Sequence, residues 1–396
     1  MEILITALAI AACILLFSFA IFIHEFGHFL AAKLLGFKVD VFSIGFGPAL
    51  WKKTWRGVEY RISAIPFGGY VALPQLDPAG TAGVQGSNTG EAPVADMANW
   101  KKIVVAFAGP FGNMVLAVAL AFLLSAVPGA RFGSMTSEVG GVLEDGPAAK
   151  GGMLAGDKVV SVNGNPVETW TDLLTEVQIA GEREAAIEVD RNGTNVVLRI
   201  TPQRDKVTGG CLIMAYSVTN NARCAAWMPE RSAMGQLAWD AGSMGRVLKA
   251  LVTPGEAGAV AKSLGGPVMI AEGLYHQVRS DAWDALGFLR FLNVNLAVIN
   301  LLPIPVLDGG LILFALIAMA MRRPVPRKIV DGLSTVFMYL LLALMLTLVW
   351  RDVARSRRVH NAKDELEKTL QQAEKLRIRQ ERFKPAFDIA PSQPKE

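Results

Sequence analysis

Ile21-Phe22-Ile23-His24-Glu25-Phe26-Gly27-His28-Phe29-Leu30 places two histidines and a glutamate inside an apolar run that extends from residue 3 to about residue 35. Residues i and i+4 share one face of a helix, so both imidazoles can reach a single metal ion. Glu25 sits on the adjoining turn, where it can take a proton from water at that metal, the HExxH arrangement. A pair of core histidines beside a solvated glutamate is the bland alternative. It fits poorly, because a carboxylate at membrane depth costs about 2.5–3.5 kcal/mol on insertion scales and marks a functional site by default.

The surrounding chain supports a membrane setting. Its 396 residues are 52% hydrophobic and only 19% charged, with a mean hydropathy of +0.35. Four apolar runs, 3–35, 103–127, 288–321 and 330–350, reach the ~20 residues that a spanning helix needs. A signal peptide would be the competing reading of the first run. Glu2 is the only early charge, no basic segment precedes the run, and it continues past signal length. A net charge of +4 is too mild and scattered for nucleic acid, so none is expected as a partner. The three cysteines form no CxxC pair, which removes a thiolate zinc site. Cys13 lies in an apolar helix. Cys211 and Cys224 either pair in an oxidising compartment or stay free.

Basic residues set the expected topology. Lys33, Lys38, Lys52, Lys53, Arg56, Arg61, Lys101 and Lys102 lie between the first two runs, and Arg322, Arg323, Arg327 and Lys328 lie between the last two. Both segments should face the cytoplasm, which puts residues 128 to about 285 and both termini outside. Arg351, Arg355, Arg357 and Arg358, just after the fourth run, argue the other way. The expected fold is an α-helical polytopic membrane protein in the lipid bilayer. It has about four transmembrane helices (1–36, 101–128, 286–322 and 330–350), a membrane-associated β-sheet and an inserted α+β domain.

Residues 37–73 read as strands, from the β-branched and aromatic residues of 39–43 and 60–65 with glycine punctuation at Gly45, Gly47, Gly57, Gly68 and Gly69. They form either a cytoplasmic hairpin or a sheet dipping into the membrane beside the site, within a 37–100 unit whose residues 74–98 read as a flexible loop. Residues 131–205 alternate strands at 139–143, 156–164, 186–191 and 195–201 with short helices at 147–152 and 171–180, and Asn163-Gly164 marks a turn. This pattern resembles a PDZ domain of the circularly permuted bacterial type, which binds peptide ends or strands by β-augmentation. In 206–285, the apolar positions Met234, Leu237, Ala241, Met244, Leu248 and Leu251 step by three and four. They mark an amphipathic helix that packs on the inserted domain or lies on the outer membrane surface. The tail, 351–396, reads as a solvated helix followed by disorder.

A hydrolytic metal site needs a third ligand and an open position. Asp308 is the strong candidate carboxylate in another span, within Asn300-Leu301-Leu302-Pro303-Ile304-Pro305-Val306-Leu307-Asp308-Gly309-Gly310. Two prolines and two glycines break the helix there and free backbone groups. Asp308 either coordinates the metal or caps the second half-helix.

HEFGH in the first span and NxxPxPxLDGG in a late span resemble the site-2 protease family of intramembrane metalloproteases, in its RseP-like bacterial branch. The likeness covers roughly 1–350 and includes 42–48 (FSIGFGP), 66–71 (PFGGYV), 108–113 (AGPFGN) and 264–267 (LGGP). It implies a multi-pass protein of the bacterial cytoplasmic (inner) membrane, with the PDZ-like domain outside. It implies Zn2+ bound by His24, His28 and Asp308, with Glu25 as general base. Asn300 should help hold the substrate backbone, with Pro303 and Pro305 opening the helix beside it. Gly68, Gly69 and Tyr70 belong to the sheet that presents the substrate as an added strand. Substrates would be single-span membrane proteins already trimmed outside, among them anti-sigma factors and remnant signal peptides. Three departures stand out: Leu311 where relatives often carry His, one PDZ-like domain where many carry two, and a longer basic tail. A non-catalytic receptor that captures peptide ends, and a metal transporter, are the rival readings. The intact Glu25 speaks against the first, and the scarcity of ligands in the second and fourth runs against the second.

Overall fold

A computed structural model describes residues 1–76, 97–127, 136–218 and 231–382. Helix α1 (Glu2–Leu35) is unbroken and ends where Gly36 turns left-handed at φ 82°, its N–H capping the carbonyls of the last turn. Strands β1 (Val41–Trp55) and β2 (Val58–Ala72) follow, joined at Arg56 and Gly57, which both have positive φ. Both strands are long and bent, so the first half of β1 pairs twice. Phe42 faces Tyr60 on one side and Val71 on the other, and Ile44 faces Ile62 and Gly69. Phe37, Val39, Phe42, Val58 and Val71 form a buried cluster with Ala32 of α1, which seats the sheet on the helix carrying the HEFGH sequence.

Helix α2 (Asn99–Ala126) packs along α1. The β-rich segment comes next: β3 (Val139–Val142), α3 (Pro147–Lys150), β4 (Lys158–Val162), β5 (Asn165–Pro166), α4 (Trp170–Ala180), β6 (Ala185–Arg191), β7 (Thr194–Ile200), β8 (Gln203–Arg204), β9 (Cys211–Leu212) and β10 (Ala215–Ser217). Four strands pair in the order β5-β4-β6-β7, and β10 pairs with β3. The Asn163-Gly164 turn forms as expected, with positive φ at both residues. The apolar core of this unit includes Cys211 and Ile213. It therefore runs past residue 205, because β10 returns to pair with β3 and β9 with β8. Cys224 and residues 77–96 and 131–135, over which parts of the sequence reading ran, lie outside the described residues.

Helices α5 (Ala233–Val252), α6 (Ala257–Ser263) and α7 (Pro267–Ser280) lead to α8 (Ala282–Asn300), α9 (Asp308–Met321) and α10 (Arg327–Arg382). The amphipathic helix forms at α5, but its buried face is not the apolar stripe. Ala233, Gln236, Asp240 and Ala250 are buried, whereas Met234 is 67% exposed. The reason is electrostatic. Arg290 of α8 is fully buried and takes both carboxylate oxygens of Asp240, at 2.7 and 3.0 Å, and also donates to the Gln236 side chain. A buried charge must be paired, so the polar face turns inward.

The apolar run 288–321 is two helices. α8 and α9 both pack on α2 and are separated by 301–307, where Pro303 and Pro305 lack the N–H a helix interior requires. α1, α2, α8 and residues Arg327–Gln372 of α10 are long and apolar enough to cross a membrane. The tail does not begin a new element: α10 continues as one helix of 56 residues. Its first charges are used locally. Asp352 is buried and accepts from the Gly266 and Met269 backbone N–H groups at the start of α7, and Arg351 donates to the Ala261 carbonyl near the end of α6. These contacts give Arg351 and Asp352 a structural role at this end of the molecule.

Candidate active site

The expected ligands converge. His24 Nε2 and His28 Nε2, one turn apart on α1, lie 3.2 Å from each other. Asp308, the first residue of α9, points its carboxylate at both, Oδ2 3.3 Å from His24 Nε2 and Oδ1 3.4 Å from His28 Nε2. One donor atom from each residue falls within 4.8 Å of the others. Of the two roles left open for Asp308, the capping one is not taken up. Leu307 takes the N-cap position and no side chain caps α9; the carboxylate turns to the histidines instead.

The ring nitrogens facing away from the cluster are held by α2. His28 Nδ1 is 2.8 Å from the Val105 carbonyl, so Nδ1 carries the proton it donates there and Nε2 keeps its lone pair. Asn113 lies 3.2 Å from His24 Nδ1, and its Oδ1 is buried without a partner. Turning the carboxamide by half a turn places Oδ1 against His24 Nδ1–H, satisfies the orphaned oxygen and frees Nε2 in the same way. Two neutral imidazoles and one carboxylate, each presenting a lone pair to one point, suit a zinc ion with a fourth position open. The orphaned oxygen finds its partner in the tautomer that zinc requires.

Close backbone approach makes the geometry possible. A Cβ on Gly109 of α2 would overlap the His28 ring. At Gly69 a Cβ would sit 2.9 Å from the Ser43 carbonyl and 3.1 Å from Glu25 Cγ, so β2 runs directly over the glutamate. Val71 of β2 lines the same cavity as Glu25. A cavity of about 290 Å³ opens over the cluster, lined by His24, Glu25, His28, Gly69, Tyr70 and Asp308 among others. Asn300 and Pro305 also line it, whereas Pro303 and Gly68 do not. Gly68 instead meets the Phe46 ring.

A model of peptidase family M50 matches residues 12–344. The chain belongs to this family. The peptidase is 32% identical over 353 residues to a protein of Campylobacter jejuni (87% of this chain, 93% of the relative). It is 31% identical over 340 residues to one of Clostridium perfringens (86% and 97%), and 33% identical over 374 residues to one of Synechocystis (88% and 95%). All three are named as zinc metalloproteases. Among solved structures, 22% of the peptidase is similar to 93% of the PDZ domain of the SdrC-like protein from Listeria monocytogenes, with 21% identity and a TM-score of 0.20. The peptidase is a metalloprotease, and zinc is the cofactor named for its relatives.

Two groups escaped the sequence reading. Asn113 stood in the GPFGN stretch, a polar side chain in an apolar span, which is itself a signal. The fourth long helix is poor in metal ligands by sequence, yet Asp331, Ser334, Thr335 and Met338 of α10 line the cavity. Their i, i+3, i+4, i+7 spacing was visible in the sequence.

Proposed function

We propose that this metalloprotease is an endopeptidase of the bacterial cytoplasmic membrane that cuts single-span membrane proteins within or beside their membrane segment, after trimming outside. His24, His28 and Asp308 are assigned as the zinc ligands and Glu25 as the general base. One observation carries the reading: three ligand atoms, a half-buried glutamate and a strand edge share one cavity among helices long enough to span a bilayer.

His24, His28 and Asp308 would hold the zinc, which when bound would supply Lewis-acid polarisation of the scissile carbonyl and a water of pKa ~7. Glu25 accepts the proton as water attacks and returns it to the leaving nitrogen. A helical substrate hides its peptide bonds, so a segment must unwind to be cut. Gly69, Tyr70 and Val71 offer replacement backbone hydrogen bonds along the edge of β2, and Asn300 offers a carboxamide to the same segment. Anti-sigma factors and remnant signal peptides fit such a site. The basic segments face the cytoplasm and the β-rich unit lies outside, where it captures exposed peptide ends in the manner of a PDZ domain.

Glu25→Gln tests the assignment. Zinc stoichiometry should stay at the wild-type level while cleavage of a single-span substrate falls by about 10²–10⁴-fold. Full cleavage by the variant would remove Glu25 from the mechanism. Absence of cleavage by the wild type across a panel of such substrates would favour the receptor reading.

A further inference from the structure

The outward face of α10 is apolar and exposed, with Val336, Tyr339 and Leu340 all more than half accessible. The opposite face is different. Asp331, Ser334, Thr335 and Met338 form a single stripe at helical spacing, and all four line the cavity over His24 and Glu25. Ser334 is buried and engages the Pro305 carbonyl at 3.4 Å. Asp331 is half-buried, and no described residue gives its carboxylate a hydrogen bond or ion pair. Arg327 and Lys328 stand one turn earlier on the same helix, in reach by spacing, yet neither pairs with it. A carboxylate facing a substrate cavity without a cation of its own is an open acceptor for a cation on the ligand.

We propose that Asp331 is a specificity-determining residue that selects substrates carrying a lysine or arginine beside the scissile bond, on the basic flank of the membrane segment. The inference rests on the endopeptidase reading above and adds the substrate's charge to it. Asp331 is the fifth residue of α10, about 4.5 Å along the helix from Lys328 at the end of the basic 322–328 segment. Single-span proteins obey the same charge rule as this peptidase, so their lysines and arginines collect at the same membrane face. A substrate strand laid along β2 with its scissile bond over His24 and His28 would then bring its basic flank to the stripe on α10. Such an ion pair, walled by apolar side chains, discriminates strongly against a neutral or acidic flank.

The test uses the full-length zinc-loaded peptidase, reconstituted in vesicles. The substrate is one single-span protein whose basic flank is scanned, position by position, with Lys, Gln and Glu. At one or two positions the Lys form should be cleaved with a kcat/KM about tenfold or more above the Gln form, chiefly through KM. In Asp331→Asn that Lys-to-Gln ratio should collapse toward one. In Asp331→Lys the preference should invert toward the Glu form. Affinity of the Glu25→Gln enzyme for Lys and Gln peptides, read by fluorescence anisotropy, should show the same ratio without any turnover. A wild type that cuts all forms equally overturns the specificity and leaves the endopeptidase reading standing. A wild type that cuts none overturns the endopeptidase reading, while equal peptide affinities would separately overturn the specificity. An equal loss on Lys and Gln forms in Asp331→Asn would make the residue structural. The substrate scan alters no enzyme residue, so poor folding of a variant does not protect the proposal.

Discussion

The cavity among the long helices and the β-rich unit between them both bury charge, and they treat it in opposite ways. In the β-rich unit each buried carboxylate has its own guanidinium. Asp157, at the start of β4, receives Arg191 at 2.7 and 2.8 Å and the Leu154 N–H at 2.8 Å. Glu176 of α4 receives Arg246 of α5 at 2.6 and 2.9 Å. In the cavity His24, Glu25, His28 and Asp308 gather four lone-pair donors with no arginine or lysine among the lining residues. A satisfied pair fixes a fold; a cluster of acceptors without a cation is built to hold one. The Arg290–Asp240 pair belongs to the first kind although Arg290 sits in a helix long enough to span a membrane. Pairing, more than depth, separates structure from function in this molecule.

The sharpest way to break that contrast is to remove a ligand. His28→Ala or Asp308→Asn should abolish stoichiometric zinc binding, measured by metal analysis after dialysis, while the fold persists. Retention of zinc by both would refute the site. The next largest effect should fall on stability. Asp240→Ala strands the fully buried Arg290 and should cost about 3–5 kcal/mol, seen as a lower melting temperature in detergent. A smaller effect is expected behind the metal. Asn113→Ala takes away the group that orients His24 and should weaken zinc affinity about 10–100-fold without unfolding the protein.

The smallest effect is a pH dependence confined to the β-rich unit. Burial pushes the Asp157 carboxyl up, but the hydrogen bonds and charge of Arg191, with the Leu154 N–H, outweigh it and hold the group below its ordinary value. A lowered folded-state pKa means that the stabilisation is present above the unfolded value of ~3.9 and disappears as pH falls through the folded value. Melting of the unit followed by circular dichroism should therefore show a loss below about pH 4. Asp157→Asn should be less stable at neutral pH and lose less on acidification. An identical acid profile in the variant would remove Asp157 from the account.

Much of this was legible in local pattern. The His24–Glu25–His28 spacing holds on any helix, because i and i+4 share a face whatever surrounds it. The strands on either side of the Asn163-Gly164 turn are equally local, since the turn chemistry sets the hairpin. The split of the third apolar run is less so. Pro303 and Pro305 predict a break, but only packing on α2 makes α9 a separate helix that begins at Asp308. The face that α5 buries against α8 was not legible from its apolar stripe, for a physical reason. Arg290 lies 50 residues away from Asp240 in sequence, and its need for a partner outweighs the burial of Met234 and its neighbours.

The sequence by itself determined the chemistry available to this peptidase: two imidazoles and a base on one helix face, a carboxylate at a helix break, and apolar runs long enough to span a bilayer. Those follow from backbone periodicity and residue type, which act over a few residues. Only the tertiary structure decided that the Asp308 carboxylate turns to the histidines instead of capping α9, that Val105 and Asn113 meet the outer histidine nitrogens, and that Asp331 faces the cavity. Each of these depends on which helix faces are pressed together, and that is fixed by contacts between residues far apart in the chain, such as Gly109 against His28.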